Sequence, residues 1–227
     1  MVPASPVTIV RLGFRQTWIG ASAADLERTR ACFDRDHAVV LRELLEPDVL
    51  AFALRQVELD GFEERVHDQL VSRPVDLRLR PGVASAVLML LTNDAPFLDF
   101  VRRATGLHDV RSFRGVIHRR LPNAGHDDAW HNDLVDRRLA VLSINLSPEP
   151  YEGGVLQIRE LPAGRIVYEF ANTQPGDAVL FALGDRLQHR VTPPEGRVSR
   201  TVCAGWFRSE PVRPSVGLPT RGHTRLL

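Results

Sequence analysis

RRLAVLSINLSPEPYEGGVLQIRELPAGRIVYEF, residues 137–170, holds three short runs rich in Val, Ile, Leu and Tyr, parted by Pro, Gly and Asn. Runs of this length between turn residues read as strands of an antiparallel sheet. Outward from this stretch the texture continues. RSFRGVIHRRL precedes it; DAVLFAL, HRVTP and SRTVCAGWF follow. Such a series predicts a sandwich or barrel from about residue 110 onward.

The first half has a different period. SAADLERTRACFDRD opens on a Ser cap and carries apolar residues at helical spacing. EPDVLAFALRQVELDGF reads as a helix with Glu-Pro-Asp at its start and Gly61 at its end. VASAVLMLLTNDAPFLDFVRRATGL reads as two helical pieces broken at Asn-Asp-Ala-Pro, and HAVVLRELL as a lone strand. Helices first and strands afterwards predict an α+β fold with a mainly β core. The expectation is one domain over 1–227: a mostly helical buttress over 1–110, a β core over 111–210 and a tail over 211–227.

Composition narrows the function. The 227 residues are 44% hydrophobic and carry a net charge of +1, so bulk charge gives no reason to expect nucleic acid or membrane as partner. All 29 basic residues are Arg, which excludes Schiff-base and lysine-base mechanisms. A guanidinium is instead suited to gripping a carboxylate through two parallel hydrogen bonds. Cys32 and Cys203 form no CxxC pair, so neither a thiolate metal site nor a disulfide is expected. No basic segment leads into an apolar one at the N-terminus, and no window approaches about 18 uncharged apolar residues. These features predict a cytoplasmic protein. No Gly-x-Ser-x-Gly elbow or phosphate-binding loop is present.

One stretch carries chemistry. In AWHNDL, residues 129–134, His131 and Asp133 stand two apart. On a strand, residues i and i+2 leave the same face, so one nitrogen and one oxygen reach a common point. A second imidazole would complete a two-His, one-carboxylate set with open positions for substrates. His189 is the favoured candidate; His118 and His126 are rivals.

Further motifs follow in order: EGGVLQI (152–158), QPGDAVLFALGDRLQHRV (174–191) and HRVTPPEGRVSRTVCAGWF (189–207). With His131 and Asp133, this pattern resembles the Fe(II)/2-oxoglutarate-dependent dioxygenases, in particular their prolyl-hydroxylase-like branch, over residues 113–208. The resemblance implies a double-stranded β-helix (jelly roll) with flanking N-terminal helices. It implies Fe(II) on His131, Asp133 and His189, with 2-oxoglutarate and O₂ as cosubstrates. It also implies an arginine for the far carboxylate of 2-oxoglutarate. Arg200, six residues before Trp206, matches the prolyl-hydroxylase arrangement; Arg197, in Arg197-Val198-Ser199, matches another branch. Related halogenases carry a small residue where this chain has Asp133, so the intact carboxylate implies hydroxylation or a related C–H oxidation rather than halogenation.

Ser143 and Asn145 alternate with apolar neighbours and are candidates for contact with 2-oxoglutarate. Asn145 departs from the Tyr that relatives place nearby. Arg119, Arg120, Arg137 and Arg138 are candidate grips for an anionic substrate, and Trp130 is a candidate pocket wall. Of these, Arg119 and Trp130 are the expected substrate contacts. The expected activity is hydroxylation of an unactivated C–H bond in a small molecule, amino acid or short peptide. A peptidyl hydroxylase is the alternative, and a non-catalytic jelly-roll module or a zinc hydrolase stands further off. The last two give Arg200 no role.

Overall fold

The computed structural model describes residues 8–66, 75–122, 124, 128–135 and 137–211. His126 and most of the 211–227 tail lie outside the described residues.

In chain order the elements begin with strands β1 (Val10–Leu12) and β2 (Thr17–Ile19), then helix α1 (Ala23–Asp36), β3 (Ala38–Leu41) and α2 (Pro47–Asp60). Strands β4 (Phe62–Val66) and β5 (Val75–Leu79) lead to helices α3 (Val83–Thr92) and α4 (Ala95–Thr105). Then come β6 (Ser112–Arg120), β7 (Arg138–Asn145), β8 (Glu152–Gly153), β9 (Val155–Glu160) and β10 (Arg165–Ala171). Last are β11 (Ala178–Ala182), β12 (Leu187–Val191), β13 (Pro194–Glu195) and β14 (Arg200–Arg208).

Local chemistry accounts for the helix ends. Ser22 caps α1 reciprocally: its hydroxyl accepts from the Asp25 N–H at 3.2 Å, and the Asp25 carboxylate accepts from the Ser22 N–H at 2.9 Å. Pro47 opens α2, where its missing N–H costs nothing, and Gly106 closes α4 at φ +64. Asn93, in the break between α3 and α4, accepts from the Phe113 N–H at 2.8 Å and donates to the Phe113 carbonyl at 3.0 Å. That residue ties the helix pair to β6.

Two layers of strands enclose the functional region. The main sheet runs β3-β11-β7-β14-β6-β5-β4, and a smaller one runs β10-β9-β12, with β8 and β13 paired beside it. One core lies between the main sheet and the helices and takes in Ala140, Leu142, Ile144, Cys203 and Phe207. There the Phe207 ring packs on Phe113 and Phe97 at centroid distances of 5.1 and 6.1 Å. The second core lies between the sheets and takes in Val141, Leu156, Ile158, Val179 and Phe181, with Trp206 against it. Strands β7 and β14 therefore serve both: alternate residues point to the helices and to the small sheet. Burying a Phe or Leu side chain contributes about 1.5–3 kcal/mol, so both faces of these central strands are held strongly in register.

The four helices and the strands from β6 onward follow the sequence expectation of a helix-buttressed jelly roll. The first half also contributes strands to the main sheet: β3, expected from HAVVLRELL, and β4 and β5, which its sequence concealed, with β4 at the far edge. VDLRL alternates charge with apolar residues, and FEERV, at the edge, carries three consecutive charged residues, a composition suited to an edge that remains wet. Among the described residues no single helix is long and apolar enough to cross a membrane.

Candidate metal centre and cosubstrate pocket

His131 and His189 meet through the backbone. Each donates its N–H to the other's carbonyl, at 3.1 and 2.9 Å. This single antiparallel bridge seats the two rings 4.3 Å apart. Asp133 lies just past the bridge rather than within a strand. Asn132 holds the turn: its side chain accepts from the Leu134 N–H at 2.7 Å and donates to the Gly184 carbonyl at 2.9 Å. His131 and Asp133 thus reach the same side by a shorter extended segment than the sequence suggested. One ligand atom from each of His131, Asp133 and His189 lies within 4.8 Å of the others. His118, on β6, is not part of this group.

The protonation states suit a cation. The Nδ1 of His131 stands 2.8 Å from the Ala129 carbonyl; since a carbonyl only accepts, Nδ1 is the donor there and Nε2 is the nitrogen turned to the ligand group. Burial, reinforced by neighbouring His131 and opposed by Asp133 and Asp128, lowers His189 to about 4. His189 is therefore neutral at pH 7, and its 3.7 Å approach to the Asp133 carboxylate joins two donors rather than an ion pair.

Arg200 opens β14 on the face shared with Val202, Ala204 and Trp206. It is 5% exposed, and its buried Nε finds no partner among the described residues. Gly154, at φ +59, makes room for it: a Cβ there would stand 2.8 Å from the Arg200 Cδ. This explains the second glycine of Glu-Gly-Gly. Arg197 is exposed. Ser143 and Asn145 lie on β7 opposite Ala204 and Val202. Both are buried, and Ser143 Oγ and Asn145 Nδ2 have no partner among the described residues. The other amide atom of Asn145 accepts from the Ser147 N–H at 2.8 Å.

The remaining candidates scatter. Arg119 points to the helical side of β6, where it donates to Thr201 Oγ1 at 2.8 Å, pairs with Glu58 and lies over the Phe62 ring at 4.3 Å. Trp130 lies against the guanidinium groups of Arg159 and Arg190 at 4.4 and 4.7 Å. Those arginines alternate with the inward-facing Ile158 and His189, so Trp130 covers the outside of the small sheet. Strand alternation thus turns Arg119 and Trp130, the expected substrate contacts, to faces other than the one that carries His189 and Arg200. Arg137 is exposed, 3.5 Å from Glu210. Arg120 grips both oxygens of Asp128 at 2.8 and 2.9 Å. The sequence reading missed Asp128, and it missed that Trp206 Nε1 donates to Asp133 Oδ2 at 2.9 Å. A buried Trp normally finds a partner for its N–H, but nothing local in the sequence names which.

With this geometry in place, the comparisons are specific. Residues 116–208 match the family model described as the 2OG-Fe(II) oxygenase superfamily. The match lies within this segment, which is less than half of the chain. A 2OG-Fe(II) oxygenase-family oxidoreductase from Burkholderia pseudomallei superposes with a TM-score of 0.67 at 16% identity, covering 84% of this chain and 94% of that one. A Pseudomonas putida prolyl-4-hydroxylase gives 0.58 at 24% identity, covering 81% and 98%. The epimerase SnoN from nogalamycin biosynthesis gives 0.61 at 14% identity, covering 82% and 84%. At these identities the likeness is one of fold. No curated protein sequence matches the chain.

Family and donor set agree. Two imidazoles and one carboxylate suit Fe(II) with positions left open, and the His131 Nδ1 contact is the outer hydrogen bond that such a ligand ordinarily makes. The matched family implies Fe(II), 2-oxoglutarate and O₂, and His131, Asp133 and His189 are the residues that fit the metal.

Proposed function

We propose that this oxygenase hydroxylates an unactivated C–H bond of a small molecule, amino acid or short peptide. The balance is R–H + O₂ + 2-oxoglutarate → R–OH + succinate + CO₂. When bound, Fe(II) activates O₂ with electrons released by decarboxylation of 2-oxoglutarate. His131, Asp133 and His189 would hold the ion. Arg200 would grip the far carboxylate of 2-oxoglutarate, assisted by Ser143 Oγ and Asn145 Nδ2.

The observation that carries this reading is the set of unpartnered polar atoms on β7 and β14, on the face turned to the small sheet. A buried polar atom without a partner costs about 1–3 kcal/mol. Arg200 Nε, Ser143 Oγ and Asn145 Nδ2 all carry that cost and share one face. A carboxylate accepting from them would recover it. The small sheet keeps water from this region, which strengthens each charge-assisted bond.

The test is an anaerobic titration of the metal-free protein with Fe(II), then 2-oxoglutarate. Keto-acid chelation of ferrous iron gives a weak visible charge-transfer band. The band should appear in the wild type and vanish in His189→Ala. Arg200→Ala should raise the 2-oxoglutarate concentration needed by tenfold or more, as expected when a charged partner worth about 1.5–3 kcal/mol is lost, whereas Arg197→Ala should leave it unchanged. No band from folded wild-type protein would sink the reading; the reverse order of the arginines would move the anchor to Arg197. Succinate release with free amino acids and with proline-containing peptides then separates the small-molecule from the peptidyl alternative.

A further inference from the structure

Asp133 is held from two sides by residues that do not themselves belong to the metal-ligand set. Trp206 Nε1 donates to Oδ2 at 2.9 Å, the oxygen that also faces His189 Nε2 at 3.7 Å. The other oxygen, Oδ1, faces Arg138 Nη1 at 3.4 Å. The Arg138 guanidinium lies over the Trp206 ring at 3.7 Å. A cation on the face of an indole is attracted by the ring quadrupole, so the two side chains also hold each other.

Arg138 reaches this position through a bulge. Along β7, Ala140, Leu142 and Ile144 point toward the helices, and plain alternation would send Arg138 the same way. The register of β7 against β14 slips between Phe207, opposite Ala140, and Arg208, opposite Arg138. Leu139 packs with the helix-side core instead, and Arg138 is released toward Trp206 and Asp133. Bulges beside active sites commonly re-aim a side chain in this way.

The geometry points to Arg138 and Trp206 as positioning residues that make Asp133 present a single oxygen to the metal. This rests on the metal reading above. With Oδ1 engaged by Arg138, the carboxylate does not turn to chelate through both oxygens. The position it would otherwise occupy stays open for cosubstrate. Trp206 fixes the torsion of the same group through Oδ2.

The experiment uses the full-length, metal-free protein and Co(II) alone as probe. Its dissociation constant is measured by chelator competition, its coordination by visible absorption, and the thermal midpoint of the metal-free protein in parallel. Trp206→Phe keeps an aromatic ring and removes the N–H. Arg138→Gln removes the charge; Arg138→Lys keeps the charge and loses the flat stack. Outer hydrogen-bond partners of metal ligands are typically worth 10–100-fold in affinity. Trp206→Phe and Arg138→Gln should therefore bind Co(II) 10–100-fold more weakly, with an altered absorption spectrum and a metal-free midpoint near that of the wild type. Arg138→Lys should fall between. Wild-type affinity and spectrum in both variants would overturn the proposal, as would losses accompanied by a matching collapse of the metal-free midpoint. Should Trp206→Phe not fold, Arg138→Gln decides the matter alone. A wild-type protein that binds no Co(II) would overturn the metal reading and the clamp together; normal binding by the variants overturns the clamp alone.

Discussion

His189 shows how one buried residue couples chemistry to stability. Its neighbours and its burial hold the ring neutral, with a folded value of about 4 against the ordinary 6.5. Between these values the unfolded chain binds more protons than the folded one, so stability rises with pH across the window. Its contribution is complete above about pH 6.5 and is lost progressively as pH falls toward 4. The metal-free protein should therefore show a lower urea midpoint at pH 5 than at pH 7, and His189→Phe should flatten that difference. An equal slope in the variant would contradict the assignment. The His131 and Asp133 pair was legible in the sequence because i, i+2 spacing is local. No local spacing separates His189 from His118; the backbone bridge to His131 gives the choice of His189 its physical basis. The arginines divide in the same way: Arg197 and Arg200 are near neighbours in sequence, yet only Arg200 is buried beside Gly154.

At the scale of elements, the segment between β6 and β7 must deliver His131 to β12. Arg120, at the end of β6, and Asp128, three residues before His131, form an ion pair with side-chain exposures of 12% and 17%. Burial alone would raise the Asp128 carboxyl; the Arg120 guanidinium, helped by His131 and Arg200, more than reverses this and keeps it ionised. Removing one partner from a fully buried pair costs about 3–5 kcal/mol, and an exposed pair is worth about 1 or less. For this partly exposed pair, Asp128→Asn should destabilise the protein by about 2 kcal/mol in urea unfolding. It should also weaken metal binding, because the segment carrying His131 loses its tie to β6. Unchanged stability and metal affinity would show the pair to be incidental. Helices α1 to α4 were legible because their caps and breaks are local chemistry. Strands β4 and β5 were not, since such charged, short segments acquire meaning only beside β6.

Across the whole molecule, the helices cover one face of the main sheet and the small sheet covers the other. The site lies in the second layer. Its ligands arrive from the segment after β6 and from β12, so an ion bound there bridges parts of the chain that are remote in sequence. A ligand that binds only the folded state stabilises it by about 2.7 kcal/mol at one hundred times its dissociation constant. For a chain of this size that corresponds to roughly 5–10 °C in thermal midpoint. Co(II) or Mn(II) at that concentration should raise the midpoint of the wild type by this amount, a chelator should reverse it, and Asp133→Ala should show no response. A metal-induced rise in Asp133→Ala equal to that of the wild type would place the binding elsewhere.

The sequence by itself determined what neighbouring residues decide: helical and strand periods, caps and turns, and an imidazole and a carboxylate poised two apart. Those properties depend on torsions and hydrogen bonds spanning a few residues. The tertiary structure decided which histidine completes the set, which arginine is buried, and that a bulge turns Arg138 onto Trp206 and Asp133. It also sent Arg119 and Trp130 to faces away from the site. These outcomes depend on strand register across long loops, where a shift of one residue exchanges the two faces of a sheet.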